Sequence, residues 1–253
     1  MTMIVYAHLN DCILIAADKR ALFCDIETGN MHLSHDTERK IDRWHRGAVA
    51  GTGETVFLDR IAEYFMNVPN DAQQLKQMDV IEEEIAQRVR EGVPFDHLNP
   101  TIIFSLFNGQ TTQLYSVSAK SSVNEHKHLI IELEQQELKP WTLMVNCYHL
   151  PPDMGIFQSF QRQLKSLSDF TDELHFLDYY IKQLKIIFGA HAQTDPSITT
   201  CFDLYLQSCS TGAELFLNID SEFQPSTIPS NFNYWDEHKK RDQSGNNIDY
   251  KQN

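Results

Sequence analysis

The sequence has no surplus of basic residues and no apolar run long enough to cross a membrane. Its 21 lysines and arginines stand against 35 aspartates and glutamates, which gives a formal net charge of -14. Surfaces that bind nucleic acids are basic, so this balance argues against a nucleic-acid-binding protein. A membrane-spanning helix needs about 20 consecutive apolar residues. Because no run approaches that length, we expect no membrane association.

Paired cysteines are also missing. The five cysteines are spread along the chain and none forms a C-x-x-C pair: Cys12, Cys24, Cys147, Cys201 and Cys209. This spacing argues against a disulfide framework and against a zinc knuckle. The first residues lack the charged start and apolar core of a signal peptide. We therefore expect a protein of the reduced cytoplasm.

The 253 residues are 42% hydrophobic, enough for one sizeable core. Alternating apolar segments predict strand hairpins around Asn10-Asp11, Asn108-Gly109 and Ser210-Thr211-Gly212. The segments HLIIELE and WTLMVNC are interpreted as a further strand pair. Helical periodicity predicts a first helix capped by Thr52 or Thr55 and ended by Pro69. Three more helices are predicted at about 71–91, 154–168 and 171–188, the last of them capped by Gly189.

The predicted order is strands, two helices, strands, two helices, strands. Such segregated blocks are typical of α+β folds rather than of alternating βα units. Two antiparallel sheets packed face to face, with a helix pair outside each, would bury every apolar face. The sequence thus predicts a four-layer αββα sandwich in one domain, residues 1–220. Residues 221–253 are polar and show no periodicity, so we interpret them as a loosely ordered tail.

Three motifs stand in a particular order along the first quarter of the chain. The chain begins MTMIVYAHLNDCILIAADKRA, and Asp18 follows Thr2 by sixteen positions. The segments Thr37–Ile41 (TERKI) and Ala48–Glu54 (AVAGTGE) come next. In order and first interval these motifs resemble the proteasome β-type subunits and their bacterial relatives. The resemblance covers residues 2–68 by motif and extends to about 220 by the order of elements.

The resemblance implies an N-terminal-nucleophile hydrolase with the αββα fold, working as a ring-like homo-oligomer on peptide or unfolded protein substrates. It implies Thr2 as nucleophile, Asp18 and Lys40 as its catalytic partners, and the Gly51 backbone N–H as oxyanion donor. Three departures accompany it. The interval from Asp18 to Lys40 is six residues longer than usual, Thr52 replaces a glycine, and the supporting serine and aspartate of the second half have no counterpart.

The chemistry of Thr2 agrees with this interpretation. A hydroxyl needs a base, and an N-terminal threonine carries one in its own α-amine, whose ordinary pKa is about 7.7–8.0. If Met1 is removed, Thr2 becomes the first residue of the mature chain. Without the Asp18 interval, a plain short N-terminus on an edge strand would be the preferred explanation of the segment. Lys40 has Arg39 as an alternative in the neighbouring register.

Two other functions remain open: a catalytically silent scaffold subunit with the same fold, and an amidase that uses the same threonine on a small amide. His32-x-x-His35 and His126-x-His128 lack an acidic or thiol partner at a persuasive spacing. We therefore predict no metal site and no cofactor, and we interpret these histidines as surface residues.

Overall fold

The computed structural model of the chain describes residues 2–24, 31–72, 74–98, 100–123, 129–147, 149–150 and 154–223. The predicted polar tail therefore lies outside the described residues from position 224 onward. The last described residue, Phe223, packs against buried apolar side chains. Phe223 is 9% exposed, and its carbonyl accepts a hydrogen bond from Lys185 Nζ at 3.1 Å.

The described residues form twelve strands: β1 (Met3–His8), β2 (Cys12–Asp18), β3 (Ala21–Cys24), β4 (Met31–His35), β5 (Ile41–Trp44), β6 (Gly47–Thr52), β7 (Thr101–Phe107), β8 (Thr112–Val123), β9 (Leu129–Glu137), β10 (Thr142–Cys147), β11 (Phe202–Ser208) and β12 (Glu214–Ile219). They also form four helices and two helical turns: α1 (Thr55–Asn67), α2 (Gln77–Arg90), the turn α3 (Phe95–Leu98), α4 (Gly155–Arg162), a 3-10 turn (Leu167–Asp169) and α5 (Glu173–Thr194). None of these helices is long and apolar enough to cross a membrane.

All pairings between the described strands are antiparallel. The first sheet has the order β10-β1-β2-β11-β12, and the second has the order β5-β6-β7-β8-β9. Strands β3 and β4 form a separate two-stranded ribbon. The hairpins predicted around Asn10-Asp11, Asn108-Gly109 and Gly212 are confirmed as β1–β2, β7–β8 and β11–β12. Gly109 has φ +94°, a backbone conformation that favours glycine.

Three clusters of buried apolar side chains hold these elements together. The first lies between one face of the first sheet and helices α4 and α5, and the second between the second sheet and α1 and α2. The third consists of side chains from both sheets, including Ile4, Ile15, Ile103 and Tyr205. Strands β1 and β2 are buried on both faces, which explains their continuous apolar sequences. Each fully buried side chain of this size contributes about 1.5–3 kcal/mol of transfer free energy.

The strand pair predicted from HLIIELE and WTLMVNC is wrong. Strand β9 pairs with β8 in the second sheet, whereas β10 pairs with β1 in the first. The link between them crosses from one sheet to the other. Leu138 is buried and its N–H donates to the Leu114 carbonyl, and the Trp141 N–H donates to the His8 carbonyl. Two adjacent strand-like segments therefore belong to different sheets because the residues between them are anchored to each sheet in turn.

Two predicted helix boundaries also differ. Helix α5 continues through Gly189 to Thr194, because Ile187, Phe188 and His191 are buried and their packing offsets the about 1 kcal/mol cost of a glycine in a helix. Helix α1 is capped by Glu54, not by Thr52 or Thr55. The Glu54 carboxylate accepts the N–H groups of Val56 and Phe57 and binds the Arg88 guanidinium.

Two further helices are shorter than their periodicity predicts. Helix α2 begins at Gln77 rather than near 71, because a turn at Pro69–Ala72 comes first and the Lys76 N–H donates to the Tyr64 hydroxyl. Helix α4 ends at Arg162 and is followed by a 3-10 turn, Leu167–Asp169, with a Ser166 capping box.

Candidate active site

Thr2 is buried and lies directly before β1, which is flanked by β10 and β2 in the first sheet. It is 7% exposed, and the six residues of β1 that follow are all buried. The N–H of the next residue, Met3, donates to Asp18 Oδ1 at 2.7 Å. This hydrogen bond ties the beginning of β1 to the end of β2. It fixes the position of Thr2 relative to the Asp18 carboxylate.

Asp18 is the last residue of β2, and its side chain is fully buried. Besides the Met3 N–H, it accepts the Arg20 N–H on Oδ2 at 3.0 Å and the Lys40 ammonium on Oδ1 at 3.0 Å. A buried carboxylate requires such donors, because an isolated buried charge is costly. The carboxylate thus joins the N-terminal strand to the segment that leads into β5.

Lys40 immediately precedes β5, and its side chain is 9% exposed. Burial lowers the pKa of Lys40, and the charge of Asp18 and its hydrogen bond oppose that shift. The neighbouring Arg39 does not take its place: its Nε donates to the Ile41 carbonyl, and its guanidinium lies 4.8 Å from the centre of the Phe216 ring. The structure therefore brings Asp18 and Lys40 together beside Thr2. Their catalytic roles stay a prediction.

A cavity of about 280 Å³ opens beside Thr2 and is lined by Thr2, Lys40 and Gly51 together with residues of β3–β5 and α1. Gly51 lies in β6, where a Cβ would meet Leu58 Cδ2 at 2.5 Å and Ile102 Cδ1 at 2.9 Å. The close packing explains why glycine occupies this position. Its role as an oxyanion donor stays a prediction.

The contacts of Arg20 connect separate segments of the fold. Its guanidinium makes a bidentate ion pair with Asp36, at 2.6 and 2.7 Å, and also donates to the Pro196 carbonyl at 2.6 Å. The hydrogen bonds to Arg20 lower the pKa of Asp36. Arg20, which follows β2, thus links the segment after the β3–β4 ribbon to the loop after α5, 176 positions further along the chain.

Sequence reasoning missed a second buried charge pair near this site. Asp203, on β11, lies 3.4 Å from Lys19 Nζ, and the two side chains are 3% and 10% exposed. Burial raises the pKa of Asp203, and Lys19 opposes this shift. Lys19 directly follows the predicted Asp18, but no local signal indicates a partner 184 positions further along. The pair depends on the alignment of β2 with β11.

His191 was missed as well. It is 3% exposed and lies on the last turn of α5, with Nε2 4.0 Å from the Asp195 carboxylate. Neither ring nitrogen has a hydrogen-bond partner among the described residues. Burial lowers the pKa of His191, whereas the charges of Asp195 and Asp18 raise it. The sequence predicts that α5 ends at residue 188, so His191 was not recognised as a buried residue of this helix.

Within the described part of the chain, no group of three or more His, Cys, Asp or Glu side chains is arranged to hold a metal ion. His35 lies 3.3 Å from Glu38 and is partly exposed. His126 and His128 lie outside the described residues.

No protein-family model matches this chain, and no curated protein matches it. Solved structures do. The chain has the fold of solved Anbu structures. It is similar to a Gly-1 mutant of Anbu from Hyphomicrobium sp. strain MC1, with a TM-score of 0.55, 15% identity, and 88% of this chain and 89% of that chain covered.

The chain is also similar to Anbu, described as an ancestral β-subunit, from Yersinia bercovieri. Here the TM-score is 0.52 and the identity 12%, with 87% of this chain and 88% of that chain covered. These likenesses confirm the predicted resemblance to proteasome β-type subunits at the level of the fold.

Proposed function

We propose that the chain is an N-terminal-nucleophile hydrolase that cleaves peptide bonds with Thr2 on a four-layer αββα sandwich. The observation that carries the proposal is the Asp18 carboxylate, fully buried and bonded to both the Met3 N–H and the Lys40 ammonium. These contacts lie at the strand start that positions Thr2, and a cavity opens beside them. The three buried clusters, two of them outside the sheets and one between them, support the layered arrangement.

In this proposal, removal of Met1 exposes the α-amine of Thr2. The neutral amine takes the proton of the Thr2 hydroxyl as Oγ1 attacks the substrate carbonyl, and the Gly51 N–H stabilises the resulting oxyanion. When the C–N bond breaks, the proton passes to the leaving amine. A water molecule then cleaves the ester on Oγ1 by the reverse sequence and restores the hydroxyl. Lys40, held as a cation by Asp18, favours the neutral amine and stabilises negative charge near Oγ1.

The same proposal includes the setting of the reaction. We propose a ring-like homo-oligomer of this chain in the cytoplasm, with peptides or unfolded protein segments as substrates. The thiols of Cys12, Cys147, Cys201 and Cys209 are free, in keeping with a reducing compartment.

The experiment begins with the intact mass of the chain purified from its native host, which reports whether Met1 is removed. Hydrolysis of fluorogenic peptides is then compared among four forms: the parent chain, Thr2→Ala, Thr2→Ser, and a form with lysine inserted between Met1 and Thr2. We expect loss of activity with Thr2→Ala and with the insertion, which turns the amine into an amide. Thr2→Ser keeps part of the activity because an amine and a hydroxyl both remain.

Thr200→Ala is the matched control, since Thr200 is exposed and lies outside the cavity. Activity that survives Thr2→Ala would exclude Thr2 from the mechanism. Simple acyl amides tested beside the peptides distinguish a peptidase from an amidase. A form shown by mass to lack Met1, yet inactive on every substrate, would favour the silent scaffold. The Asp18 contacts permit that second candidate, since two of them satisfy backbone N–H groups and serve the fold by themselves.

A further inference from the structure

Thr52 lies between two glycines at the end of β6, next to the candidate oxyanion donor. It is one of the departures noted in the sequence, and the reaction proposed above gives it no role. Gly51 precedes it, and Gly53 follows with φ +137°, a backbone conformation that favours glycine. Of these three residues, Thr52 is therefore the one whose side chain can anchor the backbone of Gly51.

The second sheet supports this end of β6 from one side. On that side, both Gly51 and Thr52 are paired with β7. On the other side, the pairing of β6 with β5 ends at Ala50. Gly51 and Thr52 thus extend past the β5 pairing. A contact from outside the sheet therefore restricts their motion more than it would restrict the middle of the strand.

Asn146 supplies such a contact from the first sheet. Its Nδ2 donates a hydrogen bond to Thr52 Oγ1 at 3.1 Å, and both residues are partly buried. Asn146 lies on β10, where it is paired with Ile4 of β1. Directly paired residues of antiparallel strands share one face of the sheet, and Ile4 belongs to the buried cluster between the two sheets. The hydrogen bond therefore crosses from the first sheet to the second.

This cross-sheet hydrogen bond joins the two halves of the candidate site. Ile4, the partner of Asn146, comes two residues after Thr2, and Thr52 directly follows Gly51. In the proposed reaction, the Thr2 hydroxyl and the Gly51 N–H act on one substrate carbonyl from different sheets. A misplacement of about 1 Å between reacting groups costs about 100-fold in rate, so the spacing of the sheets at this point decides the rate.

We propose that Asn146 and Thr52 are positioning residues whose hydrogen bond holds the Gly51 N–H at the carbonyl that Thr2 attacks. The inference rests on the proposed function, since the Gly51 N–H has this role only if Thr2 is the nucleophile. Neither Asn146 nor Thr52 lines the cavity. Asn146 acts through β1, and Thr52 acts through the backbone of Gly51.

The first test compares Thr52→Val, Thr52→Ser and Asn146→Leu with the parent chain on one fluorogenic peptide. Valine keeps the branched shape of threonine but cannot accept the hydrogen bond, whereas serine can. We expect Thr52→Val and Asn146→Leu to lower kcat about 10–100-fold and to change KM less than about 3-fold, because the oxyanion forms only after attack. Thr52→Ser should keep kcat within about 3-fold of the parent value. The double variant should lose no more than either single one, because both remove the same bond.

Thr112→Val is the matched control. The Thr112 hydroxyl donates to the Ser208 carbonyl at 2.7 Å, so this bond also joins β8 of the second sheet to β11 of the first. Ser208 is paired with Cys12 at the start of β2, the end opposite to Asp18. Thr112 is 1% exposed, so we expect Thr112→Val to lower the Tm at least as much as Thr52→Val does. It should leave kcat unchanged.

A transition-state analogue separates positioning from a general loosening of the fold. The Thr2 hydroxyl adds across the carbonyl of a peptide aldehyde to give a hemiacetal, whose new oxygen lies where the oxyanion would form. The corresponding peptide alcohol binds without this adduct. We expect Thr52→Val to weaken binding of the aldehyde about 10-fold or more and binding of the alcohol less than about 3-fold. Circular dichroism checks that each variant is folded, and Asn146→Leu removes the same bond from the other sheet.

The outcomes separate the inference from the proposed function. Hydrolysis that requires Thr2, with kcat unchanged in Thr52→Val and Asn146→Leu, would overturn the inference and leave the hydrolase standing. Equal losses of kcat in Thr52→Val and Thr112→Val, in step with the Tm, would show a structural bond and would also overturn it. A parent chain without Met1 that neither hydrolyses peptides nor binds the aldehyde would overturn the proposed function, and the inference with it.

Discussion

Replacing Asp18 by asparagine should destabilise the protein strongly, because Asp18 is the fully buried acceptor of three hydrogen bonds. Asparagine keeps one acceptor oxygen but presents an NH₂ group to at least one donor. It also leaves the Lys40 ammonium, 9% exposed, without its carboxylate. Removing one member of a buried ion pair costs about 3–5 kcal/mol. We expect about 3 kcal/mol, since Lys40 retains a small path to solvent.

The pH dependence of this loss follows from Lys40. Because burial lowers its pKa in the folded protein below the ordinary 10.5, the unfolded chain binds more protons between these two values, and stability rises with pH across that window. The Asp18→Asn change removes the charge that opposes the shift, so the pKa of Lys40 falls further and the window extends to lower pH. The stability deficit of the variant should therefore be smaller at pH 9 than at pH 7.

Urea unfolding followed by tryptophan fluorescence measures these differences at both pH values. Adding Lys40→Met to Asp18→Asn removes the unpaired ammonium and should restore part of the stability. Asp36→Asn is the control, because it breaks the partly exposed pair with Arg20 and should cost about 0–1 kcal/mol. The reasoning is refuted if Asp18→Asn costs no more than Asp36→Asn, or if Lys40→Met destabilises the Asp18→Asn variant further.

Two other predictions concern buried positions. Gly51→Ala should destabilise the protein by about 1–3 kcal/mol, because the new Cβ would meet Leu58 and Ile102 at 2.5 and 2.9 Å; a Tm equal to that of the parent chain would contradict the packing described here. Burial raises the pKa of the Cys209 thiol to about 12 and that of Cys12 well above its ordinary value. Iodoacetamide at pH 8 should therefore leave both unlabelled in the native protein and label them in urea, as measured by peptide mass; rapid native labelling would show that this part of the core opens.

The local parts of the fold could be predicted from the sequence. The hairpin at Asn108-Gly109 is indicated by residues that favour its turn. The helical periodicity that predicts a helix at about 71–91 comes from Met78, Ile81, Ile85 and Val89, and these four residues pack into the second buried cluster. The pairing of β9 and β10 was not predictable in this way. Each segment has strand character, but their partners β8 and β1 are determined by packing elsewhere in the chain.

In the candidate site, too, some residues could be predicted from the sequence and others could not. The interval from Thr2 to Asp18 and the resemblance to β-type subunits indicated three residues that do lie together. Lys19 with Asp203, and His191 near Asp195, depend on the alignment of β2 with β11 and on the last turn of α5. Lys19 and Asp203 have no local sequence signal because they are 184 positions apart and meet only in the folded structure. His191 and Asp195 are four positions apart, but the burial of His191 follows from the continuation of α5 past Gly189, which the sequence pattern did not predict.

The strand order of the first sheet has a consequence for the timing of folding during synthesis. The second sheet is continuous in sequence from Ile41 to Glu137, whereas β11 and β12, which complete the first sheet beside β2, end only at Ile219. At about 5–20 residues per second, the ribosome needs roughly ten seconds to make the intervening chain. We expect the second sheet to form first. Strand β11, which pairs with β2 beside Asp18, would join the first sheet only later.

This order would delay assembly of the candidate site until the rest of the domain is present. On the proposed function, the chain would then lack a positioned nucleophile while it is still attached to the ribosome. Pulsed hydrogen exchange on ribosome-bound chains that end at successive lengths measures the order, with early protection expected in β6–β8 and late protection in β1, β2 and β11. Protection of β1 and β2 before β7 would show that the first sheet does not depend on its late strands.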